Sequence, residues 1–533
     1  MTIRVKQVGV AAVCAALAGL SMAGTDWNVL NERARRHAAE PVRAGLPGRV
    51  PFWNVKSRAF IHPPAFDFKP VRGATAYRFS VTEKETGKVR TFVADRPWAP
   101  LTPVWDDIPP CYVHVRVEGV DASGKALGVS GERDCYRAAV FRGPYPEPKS
   151  RDYAAAAGRC YAAIFRLGHV QAWLRQNEPS PNYDLYCYPS KLVSSIVVAL
   201  LRHAEFAPSD GEKAVTIARK MADWLISVSQ PAGTPLEHLP PTYWGNRRQE
   251  AVRYAGQNML IYPTCAAAAY FRLFDKTKDA RYREAGLNIV RTMDRLRLDN
   301  GTWWIKVSEK DGKPVCKNLL VPCEHVFEMY DLAAKLPGCE KYAAYRTQLE
   351  KYIYKSAFKT WNWEGQFEDG DLRPPYHNLQ KGTACEFATW LFAHGRLTEA
   401  KELLDWSEDQ FVAWSDPIHH MDWKNWKTPT ALEQYDYYTP IDASMADLVG
   451  GFTAAWRATD DELYLEKARA MADCILRHQR ADGTIPTYFD SRPGSDWVNC
   501  MVYTSSFLEK LDRAIRERAT EDGAVKNEGE TCR

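Results

Sequence analysis

After its first two dozen residues this 533-residue chain lacks any long apolar run, any marked excess of one charge, and any compact motif for a metal, a phosphate or a nucleophilic serine. Each absence excludes something. Lys and Arg number 70 against 66 Asp and Glu, a net charge of +4, so there is no basic footprint for nucleic acid. No uncharged stretch downstream approaches the roughly 20 residues that a spanning helix needs, so no membrane span is expected. C-x-x-C is missing and the histidines do not recur at ligand spacing. The adjacent His419-His420 point to different sides of any element, so no metal and no cofactor are expected. No Gly-rich loop follows a strand, and no G-x-S-x-G elbow is present. Asp369-Gly370-Asp371 runs on into Leu372, Arg373 and Pro374, which breaks a calcium loop and reads as a turn.

What is present is ordinary globular stuff, 45% hydrophobic and 26% charged, with a conspicuous 18 Trp and 26 Tyr. Arg4 and Lys6 precede an apolar run from Val8 to Ala23 that ends Ser21-Met22-Ala23, the pattern of a signal peptide over residues 1–23, so a secreted or periplasmic protein is expected. Cys14 falls within that run and leaves 12 of the 13 cysteines in a compartment that permits bridges. Cys111 and Cys135 are the first pair to connect, and Cys316 and Cys323 flank a turn.

Residues 50–145 alternate in short segments, such as Ala76-Tyr77-Arg78-Phe79-Ser80-Val81 and Cys111-Tyr112-Val113-His114-Val115, separated by turn clusters. A small β-sandwich is expected, closed by the hinge Gly143-Pro144-Tyr145-Pro146-Glu147-Pro148. From Asp152 the period becomes helical. Short helix-opening motifs centre on Pro189, Pro263, Pro322, Gly382, Pro440 and Tyr503, 58 to 74 residues apart. Between them, Thr277 to Thr302 aligns without a gap on Thr459 to Thr484, and Met221-Ala222-Asp223 to Gly233-Thr234 repeats as Met471-Ala472-Asp473 to Gly483-Thr484. One hairpin has been copied. With residues 152–176 closing the ring, the pattern gives twelve helices in six hairpins over residues 152–518, followed by a polar tail, 519–533.

That count, with Gln479-Arg480-Ala481-Asp482-Gly483-Thr484-Ile485-Pro486 after an outer helix, resembles the six-hairpin (α/α)6 toroids of glycosidases and polysaccharide lyases. The fold class expected is therefore mainly α, an (α/α)6 toroid preceded by a small β-sandwich. The stretch Val71-Arg72-Gly73-Ala74-Thr75-Ala76-Tyr77 resembles fibronectin type III-like modules, which implies a spacer or binding accessory. In toroids of this kind the site lies where the inner helices begin, so the resemblance implies a carbohydrate substrate met at that mouth. The overlap with unsaturated glucuronyl and rhamnogalacturonyl hydrolases stops at the second inner helix, where Asn258-Met259-Leu260-Ile261-Tyr262 replaces their aspartate motif.

Among candidate residues, Asn182-Tyr183-Asp184-Leu185-Tyr186 matches Gln434-Tyr435-Asp436-Tyr437-Tyr438, and both precede an inner helix. Asp184 and Asp436 are the catalytic pair if they face one cleft, since glycoside cleavage takes a proton donor and a second carboxylate about 5 to 9.5 Å apart. The alternative is that they cap helices or hold the Tyr hydroxyls. Glu324, Asp369, Asp371, Glu386 and Asp442 are further carboxylates near a mouth, with Glu324 and Glu386 lying inside inner helices and Asp442 suited to a first helical turn. For β-elimination, Arg373, Tyr376 and His377, with Asn378, offer a base and an anion stabiliser within six residues. Tyr186, Tyr438, Asn258, Trp303, Trp363, Trp423 and Arg247 are the substrate-binding candidates, with Arg248 and Arg253 suited to a uronate. A glycoside hydrolase acting on oligo- or polysaccharide, uronate-containing glycans included, leads. A lyase of the same fold is the alternative, and a non-catalytic glycan-binding protein is a third.

Overall fold

The structure, a computed structural model, describes residues 25–43, 53–322, 324–364, 376–415, 426–489 and 496–531, with side chains to residue 521 apart from that of Glu324. A first helix, α1 (Trp27–Ala38), is capped by Asp26, whose side chain accepts from the backbone N–H groups of Asn28 and Val29. Strands β1 (Ala59–Phe60), β2 (Ala76–Glu83), β3 (Val89–Ala94), β4 (Cys111–Val120) and β5 (Ala126–Arg137) form one sheet in the order β1-β5-β4-β2-β3. Strict alternation buries one face of β2 and β4, as the sequence pattern requires. The described residues give this single sheet, and the second sheet of the expected sandwich is not among them. Cys111 pairs with Arg137 while Cys135 pairs with Val113, so the two thiols are out of register and unbridged. No disulfide is formed among the ten described cysteines, against the expectation of several bridges. Cys323 lies outside the described residues.

The helical part follows the repeat. Outer helix α2 (Tyr153–Arg166) is followed by pairs of one inner and one outer helix: α3 (Pro189–Phe206) with α4 (Gly211–Ser227), α5 (Tyr262–Thr277) with α6 (Ala280–Leu296), α7 (Glu324–Ala334) with α8 (Tyr342–Lys355), α9 (Gly382–Ala393) with α10 (Leu397–Phe411), and α11 (Asp442–Thr459) with α12 (Glu462–His478). The last inner helix, α13 (Val498–Thr531), packs against α2 and α3 and closes the ring. Inner helices such as α3 and α5 are buried on most of their surface, because a neighbour lies on each side. Outer helices carry a stripe. In α6 the buried residues Tyr282, Gly286, Leu287, Ile289, Val290 and Met293 recur at three- and four-residue spacing.

The repeated residues have identifiable work. Asp279 and Asp461, which align in sequence, each accept from the N–H two residues on and start an outer helix. Gly301 and Gly483 sit at φ 93° and 95°, a left-handed turn that ends each outer segment. Two openings differ from expectation. Val502-Tyr503-Thr504 lies a turn inside α13, which begins at Val498, and Thr439-Pro440 belongs to a strand ahead of α11. Short strands lie in the links from outer to inner helices: β6 (Gln257–Met259) pairs with β7 (Lys306–Ser308), and β8 (Val412–Ala413), β9 (Thr430–Gln434) and β10 (Tyr437–Pro440) form a sheet in the order β10-β9-β8. None of the helices, over the described residues, is long and apolar enough to cross a membrane.

Candidate functional site

The ring encloses a cavity of about 860 Å³ along its axis, lined by residues of all six inner helices. Around its upper part stand Lys191 of α3, Tyr262 of α5, His325 of α7, Glu386 of α9, Asp447 of α11 and Tyr503 of α13, with Glu433 reaching in from β9. Glu386 lies four residues past the start of α9, and Asp447 and Tyr503 five past the starts of α11 and α13. At 1.5 Å per residue the three are about 6 to 8 Å along their helices from the starts.

Asp447 is held by a hydroxyl and a cationic neighbour. Tyr503 Oη donates to its Oδ1 at 2.8 Å, and Lys381 Nζ lies 3.4 Å from its Oδ2. Lys381 is 1% exposed and Asp447 11%, so the pair is largely withdrawn from water, and these are partners suited to a carboxylate anion. Gly382, between Lys381 and the body of α9, leaves the room this requires, since a Cβ there would lie 3.3 Å from Asp447 Oδ2. Gln380 caps the same turn, accepting from Gly382 N at 2.5 Å and donating to Thr383 Oγ1 at 2.9 Å. The His325 ring meets that of Tyr503 edge-on, centroids 6.4 Å apart. Lys191 Nζ lies 5.2 Å from the Tyr262 ring centre and 4.5 Å from that of Trp497. Deeper in the cavity, Arg272 pairs with Glu328, and Arg346 with Asp331 and Glu350, so these acids serve ion pairs.

Of the sequence candidates, Glu386 lines the cavity. Glu324 opens α7. Asp442 opens α11 fully buried, accepting from Thr504 Oγ1 at 3.1 Å, and burial pushes its carboxyl well above the ordinary range. Asp184 and Asp436 do not line the cavity. Asp184 is exposed at the head of a 3₁₀ turn, and Asp436 pairs with Lys56 at a turn with φ 66°. Their motif repeats because its tyrosines pack. Tyr183 Oη donates to Asp496 O, Tyr186 Oη lies 3.1 Å from His169 Nδ1, Tyr435 Oη bonds Gln410, and Tyr438 Oη donates to Lys56 O at 2.6 Å.

Tyr376 and His377 are half-buried outside the cavity, the Tyr376 carbonyl accepting from Asn54 Nδ2 at 2.9 Å. Asn258 is buried and donates to Pro240 O, a structural bond. Trp303 and Trp363 were expected as sugar platforms, but each is 0% exposed and neither can meet a ligand. Trp303 Nε1 donates to Met293 O, which pins that ring in the core. Arg247 is exposed and donates to Ser180 O. Arg248 pairs with Glu250, and Arg253 covers Tyr254. Arg373, Trp423, Asp369, Asp371 and His419-His420 lie outside the described residues. Among those described, no cluster of three or more His, Cys, Asp or Glu is disposed to hold a metal.

Lys191, His325, Glu433 and Asp447 stand in no motif of their own in the sequence, and Lys381 stands only in the helix opening Lys381-Gly382-Thr383. Asp447 had the same signal as Glu386, a charge inside an otherwise apolar inner helix, Asp442-Ala443-Ser444-Met445-Ala446-Asp447-Leu448-Val449. Tyr503 was noticed only as part of a helix opening.

No family model matches the chain, and no curated protein matches it in sequence. Among solved structures, a family 76 glycoside hydrolase from a bovine Bacteroides thetaiotaomicron strain aligns at 12% identity and a TM-score of 0.44, over 84% of this chain and 94% of its own. A D-mannose isomerase aligns at 12% and 0.47, over 69% and 99%. A β-1,2-glucanase from Parabacteroides distasonis aligns at 11% and 0.39, over 84% and 68%. At such values the similarity is one of chain path, and the chemistry has to come from the cavity itself.

Proposed function

We propose that the axial cavity is the active site of a secreted glycoside hydrolase. Glu386 donates a proton to the leaving glycosidic oxygen, and Asp447 serves as the second carboxylate, attacking the sugar or activating water. The observation that carries this is that Glu386 and Asp447 line one cavity from neighbouring inner helices. Lys381 and Tyr503 hold Asp447 as the anion its role needs, and Tyr262 and Tyr503 offer rings and hydroxyls to a sugar.

The His325–Tyr503 contact favours a second reading. A uronate polymer could be cleaved by β-elimination, with Tyr503 taking the proton beside the carboxyl and Lys381 stabilising the anion formed. Incubation with a panel of neutral and uronate-containing polysaccharides, followed by reducing ends and by absorbance near 235 nm, separates the two. Hydrolysis predicts reducing ends without absorbance. A rise in absorbance with each cut would replace hydrolysis by elimination, and binding without either product would leave a glycan-binding protein.

A further inference from the structure

The outer side of the mouth is not built by the toroid alone. The β9–β10 hairpin carries Glu433 into the cavity and leads directly into α11. Its other side bridges from Gln434 to Gln380, the residue that caps α9 and lines the same cavity, and Tyr435 N donates to Leu379 O at 2.9 Å. The hairpin therefore touches both helices that supply the proposed catalytic carboxylates. Its own tip turns at Asp436, whose φ of 66° is a left-handed conformation that Asp takes more readily than most residues with a Cβ and that its surroundings help to hold.

Those surroundings come from the N-terminal segment. Lys56 forms an ion pair with Asp436, each side chain only about a fifth exposed at 22% and 20%. Tyr438 Oη donates to Lys56 O at 2.6 Å, Ser57 Oγ lies 3.1 Å from Tyr435 Oη, and the Arg58 guanidinium covers the Tyr438 ring at 4.8 Å. The segment is itself anchored to the sheet, because Arg133 of β5 donates to Trp53 O at 2.6 Å and Ser57 O at 2.7 Å. A continuous chain of contacts thus runs from the sheet through Lys56 to the hairpin and on to Glu433, α9 and α11.

We propose that Lys56 and Asp436 are positioning residues for the mouth of the cavity, and that the N-terminal module is a working part of the active site. The proposal rests on the assignment of the cavity as the active site. In it, Asp436 touches no substrate. It holds the hairpin in the one backbone state that aims Glu433 inward and sets the first turns of α9 and α11.

The full chain carrying Lys56→Met, Lys56→Arg or Asp436→Gly tests it by two measurements that fail separately. The glycine variant removes the charge while tolerating the positive φ, so folding is retained. Hydrogen exchange should quicken in Lys56→Met and Asp436→Gly over residues 430–440 and in the first turns of α9 and α11, with α3 and α5 unchanged. Lys56→Arg should exchange as the parent does. On a substrate that the parent turns over, Lys56→Met and Asp436→Gly should lower kcat by about tenfold or more, with KM within about twofold, because misplacement of groups that act in the transition state falls on kcat. Lys56→Arg should restore most of it. Exchange confined to the hairpin tip, or kcat unchanged despite faster exchange, would overturn the proposal and leave a surface tie. Loss of kcat in these variants with Glu386→Gln fully active would instead mean that the catalytic assignment fails while the positioning stands.

Discussion

Asp409 and His62 meet where the N-terminal segment docks on α10, and their titrations oppose each other. Asp409 Oδ1 accepts from the N–H groups of Ile61 at 2.6 Å and His62 at 2.7 Å. Burial pushes its carboxyl up to about 7, against the pull of those bonds. Burial pushes the His62 imidazole down to about 4, with Asp405 pulling the other way and His37 adding to the fall. An unfolded Asp titrates near about 3.9 and an unfolded His near about 6.5. Between about pH 4 and 7 the folded Asp409 holds a proton that the unfolded chain has lost, so its contribution to stability is present at low pH and lost as pH rises through 7. Between about pH 4 and 6.5 the folded His62 lacks a proton that the unfolded chain holds, so its contribution is present above that range and lost as pH falls through 4. Denaturant titration of Asp409→Asn across pH 4 to 7 should therefore show stability rising with pH, and His62→Gln should show it falling. Parallel curves for both variants and the parent would contradict the assignment. Such individual roles were hard to see in the sequence. Asp184 and Asp436 drew attention because their motif repeats, yet the repeat preserves tyrosine packing. Trp303 and Trp363 looked like platforms because they sit among polar residues, but a loop folded onto a helix pair buries its own rings. Glu386 was visible because a charge within an apolar inner helix needs a partner or a task.

At the scale of elements, periodicity was the strongest signal. The aligned segments Thr277–Thr302 and Thr459–Thr484 are the same hairpin, down to the Asp cap and the left-handed glycine. The two glycines nevertheless differ in their surroundings. A Cβ on Gly301 would come no nearer than 3.5 Å to Arg297 Nη2, the end of a flexible side chain, whereas one on Gly483 would lie 2.5 Å from the backbone carbonyl of Arg159 in α2. Gly301→Ala should cost about 1 to 2 kcal/mol for the conformation alone, and Gly483→Ala more, because α2 must also move. Equal losses in thermal or urea unfolding would contradict the close packing of that turn on α2. The element that sequence placed wrongly, the start of α13, is explained by the same logic. Val502-Tyr503-Thr504 resembles the other openings only in composition, and α13 has a turn more at its N-terminus, so that Tyr503 faces Asp447 from inside the ring.

Over its described residues the molecule is held by burial rather than by bridges. The ten described cysteines form no disulfide, and burial pushes the thiols of Cys135, Cys160, Cys385 and Cys474 up to about 12, which leaves them unreactive in the folded state. A strong reductant should leave the melting temperature unchanged, and at least ten thiols should react once the chain is unfolded without reductant. Fewer than ten, or a lowered melting temperature, would restore the bridges that an even cysteine count suggested. Ring architecture was legible because every hairpin repeats one pattern, whereas the joining of the N-terminal module to the mouth was not, since Lys56 and Asp436 are 380 positions apart. The central claim is that catalysis resides in the axial cavity rather than at the repeated aspartates of the loops. Its most direct test is paired turnover and melting of Glu386→Gln and Asp184→Asn on a glycan that the parent cleaves. Glu386→Gln should lose about a hundredfold or more in kcat with its melting temperature nearly unchanged, and Asp184→Asn should remain within about twofold of the parent. An active Glu386→Gln beside an inactive, stable Asp184→Asn would contradict it.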